Sequence, residues 1–181
     1  ADDRFDALLF ATGRRANTDG LGLEAAGVVT DGRGSVVVDS RHNTSAASVF
    51  AVGDVTTDAA LTPVAIAAAR RLMDRLFGGH DAPLDQDAIP SVVFSHPPMG
   101  MVGITEEQAR EEHRRVHVAR AGFRPMLHAL ADSPQRSLFK IVCVGPERHV
   151  VGIHLLGEAA DEILQGFAVA MRRGITLEDL R

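Results

Sequence analysis

A stretch rich in glycine, aspartate and proline, residues 78–90, interrupts the 181-residue chain near its middle. It contains Gly78, Gly79, Pro83 and Pro90, residue types that end helices and strands and favour turns and linkers. The sequence on each side of this stretch must therefore bury its own apolar residues. The chain is long enough for two small domains, and we predict a domain boundary inside this stretch.

The composition excludes several classes of protein. Hydrophobic residues make up 45% and charged residues 24% of the chain, as in ordinary globular proteins. The single cysteine, Cys143, excludes an internal disulfide framework and a four-cysteine zinc site, and the histidines lack the spacing of a metal site, so we predict no metal. A net charge of −5 favours no nucleic-acid partner. Since no apolar run approaches about 18 residues, we expect no membrane insertion and a cytoplasmic location.

The first part of the chain is predicted to contain short strands. Residues 5–11 are nearly all apolar, which is typical of a strand buried on both faces. Residues 36–38 and 48–52 are two further candidates. A buried parallel strand needs neighbours on both sides, and few residues precede this one. We therefore favour a fragment of a longer chain over a small protein with short tails.

A helix is predicted to follow from Thr62 to Phe77. Thr62 is a good N-cap, Pro63 suits the first helical position, and Gly78 suits the end. The apolar spacing predicts a buried stripe that consists of Ile66, Ala69, Leu72, Met73 and Leu76.

The second part of the chain is predicted to form an α+β domain with an antiparallel sheet. Two apolar runs are joined by Gly145-Pro146-Glu147-Arg148-His149, which is typical of a hairpin. Strands are expected at residues 91–94, 116–119, 138–144 and 150–156, and helices at residues 106–115 and from residue 158 or 161 to residue 173.

The most specific local signal is a strand that ends in Gly53-Asp54 and is followed by the helix that opens at Thr62. Such a strand end lets the backbone approach a ligand while the carboxylate accepts a hydroxyl. The helix start offers free N–H groups and a partial positive charge. Together they suit a cofactor that carries both a polyol and a ring that gains negative charge. The alternative is a strand-end aspartate that caps a turn.

Two other positions carry chemistry of their own. Gly13 and Arg14 follow the first apolar run, where a glycine permits close backbone approach and an arginine binds phosphate. A basic surface turn is an equal alternative. Cys143 lies within an apolar strand, and we interpret it as a buried, inert thiol.

In combination, these motifs resemble the C-terminal half of the glutathione reductases, in the FAD-dependent pyridine nucleotide–disulfide oxidoreductase family. The resemblance covers essentially the whole chain. It is carried, in order, by Ala11-Thr12-Gly13-Arg14, Val49-Phe50-Ala51-Val52-Gly53-Asp54, Leu61-Thr62-Pro63-Val64-Ala65, Val92-Val93-Phe94-Ser95-His96-Pro97-Pro98 with Gly103, and Leu164-Gln165-Gly166-Phe167-Ala168.

The resemblance implies an α/β remnant of the FAD- and NAD(P)H-binding domains, followed by an α+β dimerisation domain. Residues 1–16 would end the NAD(P)H-binding domain, residues 17–86 would belong to the central, FAD-binding portion, and residues 87–181 would form the dimerisation domain. The implied cofactors are FAD and NADPH, and the implied state is a homodimer. The implied reaction is reduction of glutathione disulfide.

The resemblance also implies roles for single residues. Asp54, after Gly53, would bind the ribityl chain of FAD, and the backbone N–H of Thr62 would face the flavin pyrimidine edge. Gly13 and Arg14 would lie beside the nicotinamide nucleotide, and Phe94 near the cofactor site. The implied substrate-binding residue is Arg70, which would pair with a glutathione carboxylate, as the planar fork of arginine allows. Without the resemblance, we would interpret Arg70 as a solvated helix residue.

The family's redox-active cysteine pair and catalytic histidine are absent from the sequence. We therefore expect no catalytic residue in this chain and no turnover by it alone. Two alternatives remain: a fragment of a sister reductase for dihydrolipoamide, trypanothione or mercuric ion, and a non-catalytic dimerisation module.

Overall fold

The computed structural model describes residues 5–57, 59–84, 86 and 88–181. The chain separates into two compact units, and the division falls between residues 84 and 85. The predicted domain 1–16 includes residues 1–4, which lie outside the described residues. No helix in the described ranges has the length and apolar character needed to cross a bilayer.

The first unit contains one long helix, α1, from Thr62 to Phe77. The strands predicted at residues 5–11, 36–38 and 48–52 are wrong. Residues 5–11 have no regular structure, and Val36 and Phe50 make only isolated bridges. A strand needs a hydrogen-bonded neighbour along its length, and the described part of the first unit provides single bridges instead.

Helix α1 has the predicted bounds, but a different face is buried. Its buried residues are Val64, Ala68 and Leu72, at a spacing of four. Ile66 and Met73 from the predicted stripe are 48% and 52% exposed. The predicted stripe is therefore wrong apart from Leu72, because this helix carries apolar residues on two faces and periodicity alone does not choose between them.

The second unit is built on an antiparallel sheet, as predicted, and this sheet has five strands where four were expected. The strand order is β1-β2-β5-β4-β3, and β4 and β5 form the predicted hairpin. Its elements are β1 Ser91–Val93, β2 Met99–Gly103, α2 Glu106–Glu112, β3 Val116–Phe123, α3 Met126–Leu130, β4 Ser137–Val144, β5 His149–Leu156, α4 Ala160–Met171 and a 3-10 turn at Glu178–Leu180.

Two elements of this unit were not predicted. Strand β2 occupies a segment with two glycines, which weaken strand propensity, but pairing with β1 and β5 on its two sides offsets this. Helix α3 is a single short turn of helix between β3 and β4.

Helix α2 ends at Glu112, earlier than the predicted residue 115. His113 already has extended dihedrals because the chain must enter β3.

Helix α4 covers one face of the sheet and forms the core with it. Val102, Ile153 and Leu155 pack there against Leu164 and Ala168. The helix approaches β2 closely: a Cβ added to Gly100 would lie 3.1 Å from Leu164 Cδ2 and 3.2 Å from the Ala160 carbonyl oxygen. Glycine at this position is therefore a packing requirement.

The opposite face of the sheet is only partly covered. Helix α2 packs on β3 and β4, where Ala109 is fully buried. The remaining part is an apolar cavity of about 250 Å³. It is lined by residues whose cross-strand pairing places them on that face, including Val93, Met99, Met101, Leu138 and Leu156.

Candidate functional site

A tight turn over residues 53–56 carries Asp54 at its corner. The Gly53 carbonyl oxygen accepts hydrogen bonds from the Thr56 N–H at 2.9 Å and from Thr56 Oγ1 at 2.8 Å. Gly53 has a φ of +81°, a left-handed conformation that favours glycine. The Val36 N–H donates to the Val55 carbonyl oxygen at 2.8 Å and ties the turn to the neighbouring segment. The backbone under Asp54 is thus fixed, while its side chain is 56% exposed.

This turn packs against the first turns of helix α1. A Cβ added to Gly53 would lie 3.2 Å from the Cβ of Ala65. Glycine therefore serves two purposes here, the positive φ and the close approach of a strand end to a helix start. The two parts of the predicted flavin signal, Gly53-Asp54 and the start of the helix, are neighbours in the first unit.

The start of helix α1 leaves backbone amides free. The first helical bond runs from the Ala65 N–H to the Leu61 carbonyl oxygen at 3.0 Å, so the N–H groups of Thr62 and Val64 precede the helical ladder. Pro63 has no N–H to satisfy. The N-cap is Leu61, not Thr62 as predicted, and no side chain among the described residues caps the helix. The backbone of the exposed residue Thr62 is therefore positioned to donate to a ligand.

Arg14 comes close to Asp54. Arg14 Nη1 lies 3.8 Å from Asp54 Oδ2, and the two side chains are 85% and 56% exposed. Gly13 has a φ of +106°, and a Cβ there would meet nothing within 4 Å. Gly13 is therefore required for backbone conformation and not for close packing. Sequence reasoning missed the ion pair because 40 positions separate its partners, and no local pattern connects them.

Arg70 lies in the middle of helix α1 and is exposed. At 100° per residue it points away from the buried face of Val64, Ala68 and Leu72. Eight residues separate it from Thr62, which corresponds to about 12 Å along the helix axis. The guanidinium is thus on the solvent side of the helix that also presents the free amides.

Phe94 belongs to the second unit. It directly follows β1, is 77% exposed, and lines a cavity of about 450 Å³. The titratable residues of this cavity are His96, Glu158 and Asp161. Sequence reasoning did not connect the His96 segment with the start of α4, because long-range pairing of β2 with β5 brings them together.

Sequence reasoning also missed a cluster of charges around Glu106. This carboxylate contacts Arg110 at 2.8 Å, Lys140 at 3.0 Å and Arg120 at 2.5 Å. Hydrogen bonds from Arg110 and Lys140 lower the pKa of Glu106 to about 2. Only the contact with Arg110, four residues away on one helix, had a sequence signal. The cluster attaches α2 to β3 and β4.

The remaining candidates take no part in a reactive cluster. Cys143 is fully buried, which confirms its predicted place in the core, and burial raises the pKa of its thiol. Within the ranges that the structure describes, His, Cys, Asp and Glu form no group of three or more arranged for a metal ion.

The chain matches two family models. Residues 89–181 match the dimerisation domain of the pyridine nucleotide-disulphide oxidoreductases. Residues 2–69 match the model described as pyridine nucleotide-disulphide oxidoreductase. One match thus falls in each of the two structural units.

Curated proteins and a solved structure are similar over almost the whole chain. The glutathione reductase of Schizosaccharomyces pombe is 44% identical over 179 residues, which cover 96% of this chain and 39% of that protein. The chloroplastic/mitochondrial glutathione reductase of Pisum sativum is 44% identical over 178 residues, covering 98% and 32%. The HOCl-induced flavoprotein disulfide reductase RclA from Escherichia coli superposes with a TM-score of 0.86 at 32% identity, covering 94% and 40%.

The chain thus spans two fifths or less of the length of these relatives. By this evidence, the chain belongs to the pyridine nucleotide-disulphide oxidoreductase family and includes its dimerisation domain.

Proposed function

We propose that this chain is the C-terminal part of a glutathione reductase, a homodimeric flavoprotein that uses NADPH to reduce glutathione disulfide through FAD and a redox-active disulfide. The observation that carries the proposal is the Gly53–Thr56 turn packed on the start of helix α1. It places an exposed carboxylate beside a helix start with free amides. The 44% identity to glutathione reductases supports the choice of substrate.

The residues of the first unit suit one side of FAD. The exposed Asp54 carboxylate accepts hydrogen bonds from ribityl hydroxyls, and the fixed turn beneath it keeps its backbone in place. The Thr62 N–H donates to the pyrimidine edge of the flavin, where the helix dipole favours negative charge. When bound, FAD supplies electron transfer between the nicotinamide and the disulfide. Phe94 contributes an exposed aromatic ring near the cofactor site in this proposal.

Arg70 sets the substrate preference. Its exposed guanidinium binds a glutathione carboxylate in a bidentate pair, which a neutral disulfide substrate does not offer. Gly13 and Arg14 contact the nicotinamide nucleotide. With one cysteine, the 181 residues hold no redox disulfide of their own. We assign the cysteine pair and the acid/base histidine to other parts of the full-length protein.

The test is steady-state kinetics of the full-length protein with an Arg70→Ala substitution. We expect kcat/KM for glutathione disulfide to fall by about ten- to a hundredfold, mainly through a higher KM, because a charge-assisted pair with the substrate is lost. Arg71→Ala is the matched control, since Arg71 is the next residue of the same helix and is also exposed. It should leave the KM nearly unchanged.

Three further results would count against this assignment. Turnover of NADPH and glutathione disulfide by the 181-residue chain alone would show that the missing residues are not required. Failure of the full-length protein to bind FAD would overturn the flavoprotein assignment. Equal kinetics of the Arg70→Ala and Arg71→Ala variants would remove Arg70 from the substrate site.

A second candidate is a flavoprotein disulfide reductase that acts on another disulfide. The similarity to RclA, a flavoprotein disulfide reductase, favours this candidate. Faster turnover of lipoamide or trypanothione disulfide than of glutathione disulfide would select it, and faster reduction of mercuric ion would select the mercuric reductase instead. We also propose a cytoplasmic location, which cell fractionation with an antibody tests against an organellar one.

A further inference from the structure

We propose that Arg14 is a positioning residue for the flavin site, and that its guanidinium links the Asp54 carboxylate to the nicotinamide nucleotide site. The inference rests on the proposed function, which assigns Asp54 to FAD and Arg14 to the nicotinamide nucleotide. The new element is the ion pair between these two residues, with 3.8 Å between Arg14 Nη1 and Asp54 Oδ2.

The distance between the Arg14 and Asp54 side chains determines how they interact. At 3.8 Å the pair is longer than an N–H···O hydrogen bond, which spans about 2.7 to 3.2 Å. Arg14 therefore attracts the carboxylate without occupying its lone pairs. Both oxygens of Asp54 remain able to accept hydrogen bonds from hydroxyl groups of a ligand. The positive charge of Arg14 still influences how the Asp54 carboxylate is oriented.

The backbone of Asp54 is anchored, and the chain that carries Arg14 is anchored from two residues further on. Asp54 lies at the corner of a hydrogen-bonded turn. Two residues after Arg14, Ala16 is buried, with 8% of its surface exposed. Thr18 Oγ1 then donates to the Gly34 carbonyl oxygen at 2.7 Å. The local fold therefore fixes the backbone of Asp54 and limits the path of the segment that carries Arg14.

The charges explain why a flavin site benefits from this pair. FAD carries a negative diphosphate, and its reduced ring gains negative charge. An isolated Asp54 carboxylate would repel both, whereas the neighbouring Arg14 offsets that repulsion. The pair is weak while water surrounds it, but a bound ligand that excludes water lowers the effective dielectric constant and strengthens it.

Arg14 also keeps donors for a second ligand. A guanidinium has five N–H groups, and within the described ranges the side chain of Arg14 donates no hydrogen bond to the protein. These donors suit phosphate or ribose oxygens of a nicotinamide nucleotide. A nucleotide that draws the guanidinium toward itself changes the field at Asp54. Binding at one site must then change affinity at the other by the same factor.

The experiment is a double-mutant cycle on the full-length protein with Arg14→Ala, Asp54→Asn and both changes together. FAD affinity of the apoprotein is measured by quenching of flavin fluorescence, with and without NADP⁺, at low and high salt. We expect Arg14→Ala to weaken FAD binding by about three- to tenfold at low salt, and less at high salt because the pair is screened. Arg14→Lys should restore most of the affinity.

The cycle gives the decisive result. If Arg14 acts through Asp54, the double variant binds FAD as weakly as Asp54→Asn alone, and NADP⁺ no longer changes FAD affinity in Arg14→Ala. The matched control is Arg15→Ala, because Arg15 is the adjacent exposed arginine and is paired with Asp19 instead. It should change FAD affinity by less than about twofold.

The outcomes separate this inference from the proposed function. Additive effects of the two substitutions, or an effect of Arg15→Ala equal to that of Arg14→Ala, overturn the role of Arg14 while the flavoprotein assignment stands. A wild-type protein that binds no FAD overturns both. Loss of affinity in Arg14→Ala with unchanged NADP⁺ linkage also counts against the proposed coupling.

Discussion

At the end of strand β2, Gly103 occupies a position that no other residue can take without a structural change. Its φ is +78°, and an added Cβ would collide with the Val151 carbonyl oxygen and lie 2.7 Å from Met171 Cε. We predict that Gly103→Ala lowers the free energy of unfolding by at least about 2 kcal/mol, from backbone strain and overpacking together. Urea unfolding followed by circular dichroism measures this change.

The matched control is Gly122→Ala. Gly122 lies in strand β3, and a Cβ there would meet nothing within 4 Å, so only a small effect is expected. Equal unfolding midpoints for the two alanine variants would contradict the role assigned to the Val151 and Met171 contacts.

At the scale of single residues, some features could be predicted from the sequence and others could not. Gly13 and Gly53, which precede Arg14 and Asp54, both have positive φ values. A glycine in the sequence suggests such a φ but does not require it. The burial of Cys143 follows from the apolar residues on either side of it in β4. In contrast, the contact between Arg14 and Asp54 depends on how a long irregular segment folds back, and no residue periodicity encodes such a path.

Among the secondary-structure elements, helix α1 shows how far pattern analysis extends. Its ends were predictable because Pro63 and Gly78 have strong positional preferences. Its buried face was not, because Ile66 and Met73 on one side are as apolar as Val64 and Leu72 on the other. The four- and seven-residue spacings both fit a helix, so only the packing partners decide between them.

Helix α2 is held on the sheet by electrostatics that depend on pH. Because Arg110 and Lys140 lower the pKa of Glu106 to about 2, the ionised form is favoured in the folded state. The resulting stabilisation is complete above the unfolded pKa of about 4.5 and is lost as the pH falls from there through about 2. We predict that Glu106→Gln lowers the urea midpoint at pH 7, and that its difference from wild type shrinks below pH 4.5.

Urea midpoints at pH 7, 5, 4 and 3 test this dependence. Glu107→Gln is the matched control, since Glu107 is the next residue of α2 and makes no salt bridge among the described residues. A difference between wild type and Glu106→Gln that stays constant over this pH range would show that the charge of Glu106 is not the cause.

On the scale of the whole molecule, the structure of the second unit could be predicted from its sequence more completely than that of the first. The second unit has a continuous sheet and its own core, so the hairpin signal and the amphipathic helix α4 predicted most of it. The first unit has one helix and isolated bridges. Its predicted strands required partners that the described residues do not supply. The domain limits at residues 16 and 86 stay predictions.

The apolar segment at residues 5–10 has consequences for the chain as a solution species. Phe5, Leu8, Leu9 and Phe10 are each more than three quarters exposed. Adjacent exposed apolar side chains of this size promote association. We predict that the 181-residue chain with Leu8→Ser and Phe10→Ser binds less of an apolar fluorescent dye and aggregates more slowly than the unchanged chain. Static light scattering during incubation measures the aggregation.

Measurements of the free energy of unfolding test whether this segment lies on the surface or in the core. Since Leu8 and Phe10 are exposed, the double substitution should change the free energy of unfolding by no more than about 0.5 kcal/mol. Leu72→Ala is the matched contrast, because Leu72 lies on the buried face of helix α1 and its truncation should cost roughly 2 to 5 kcal/mol. If the double substitution destabilises the chain as much as Leu72→Ala does, the segment at residues 5–10 is packed in solution, and its exposure does not explain the aggregation.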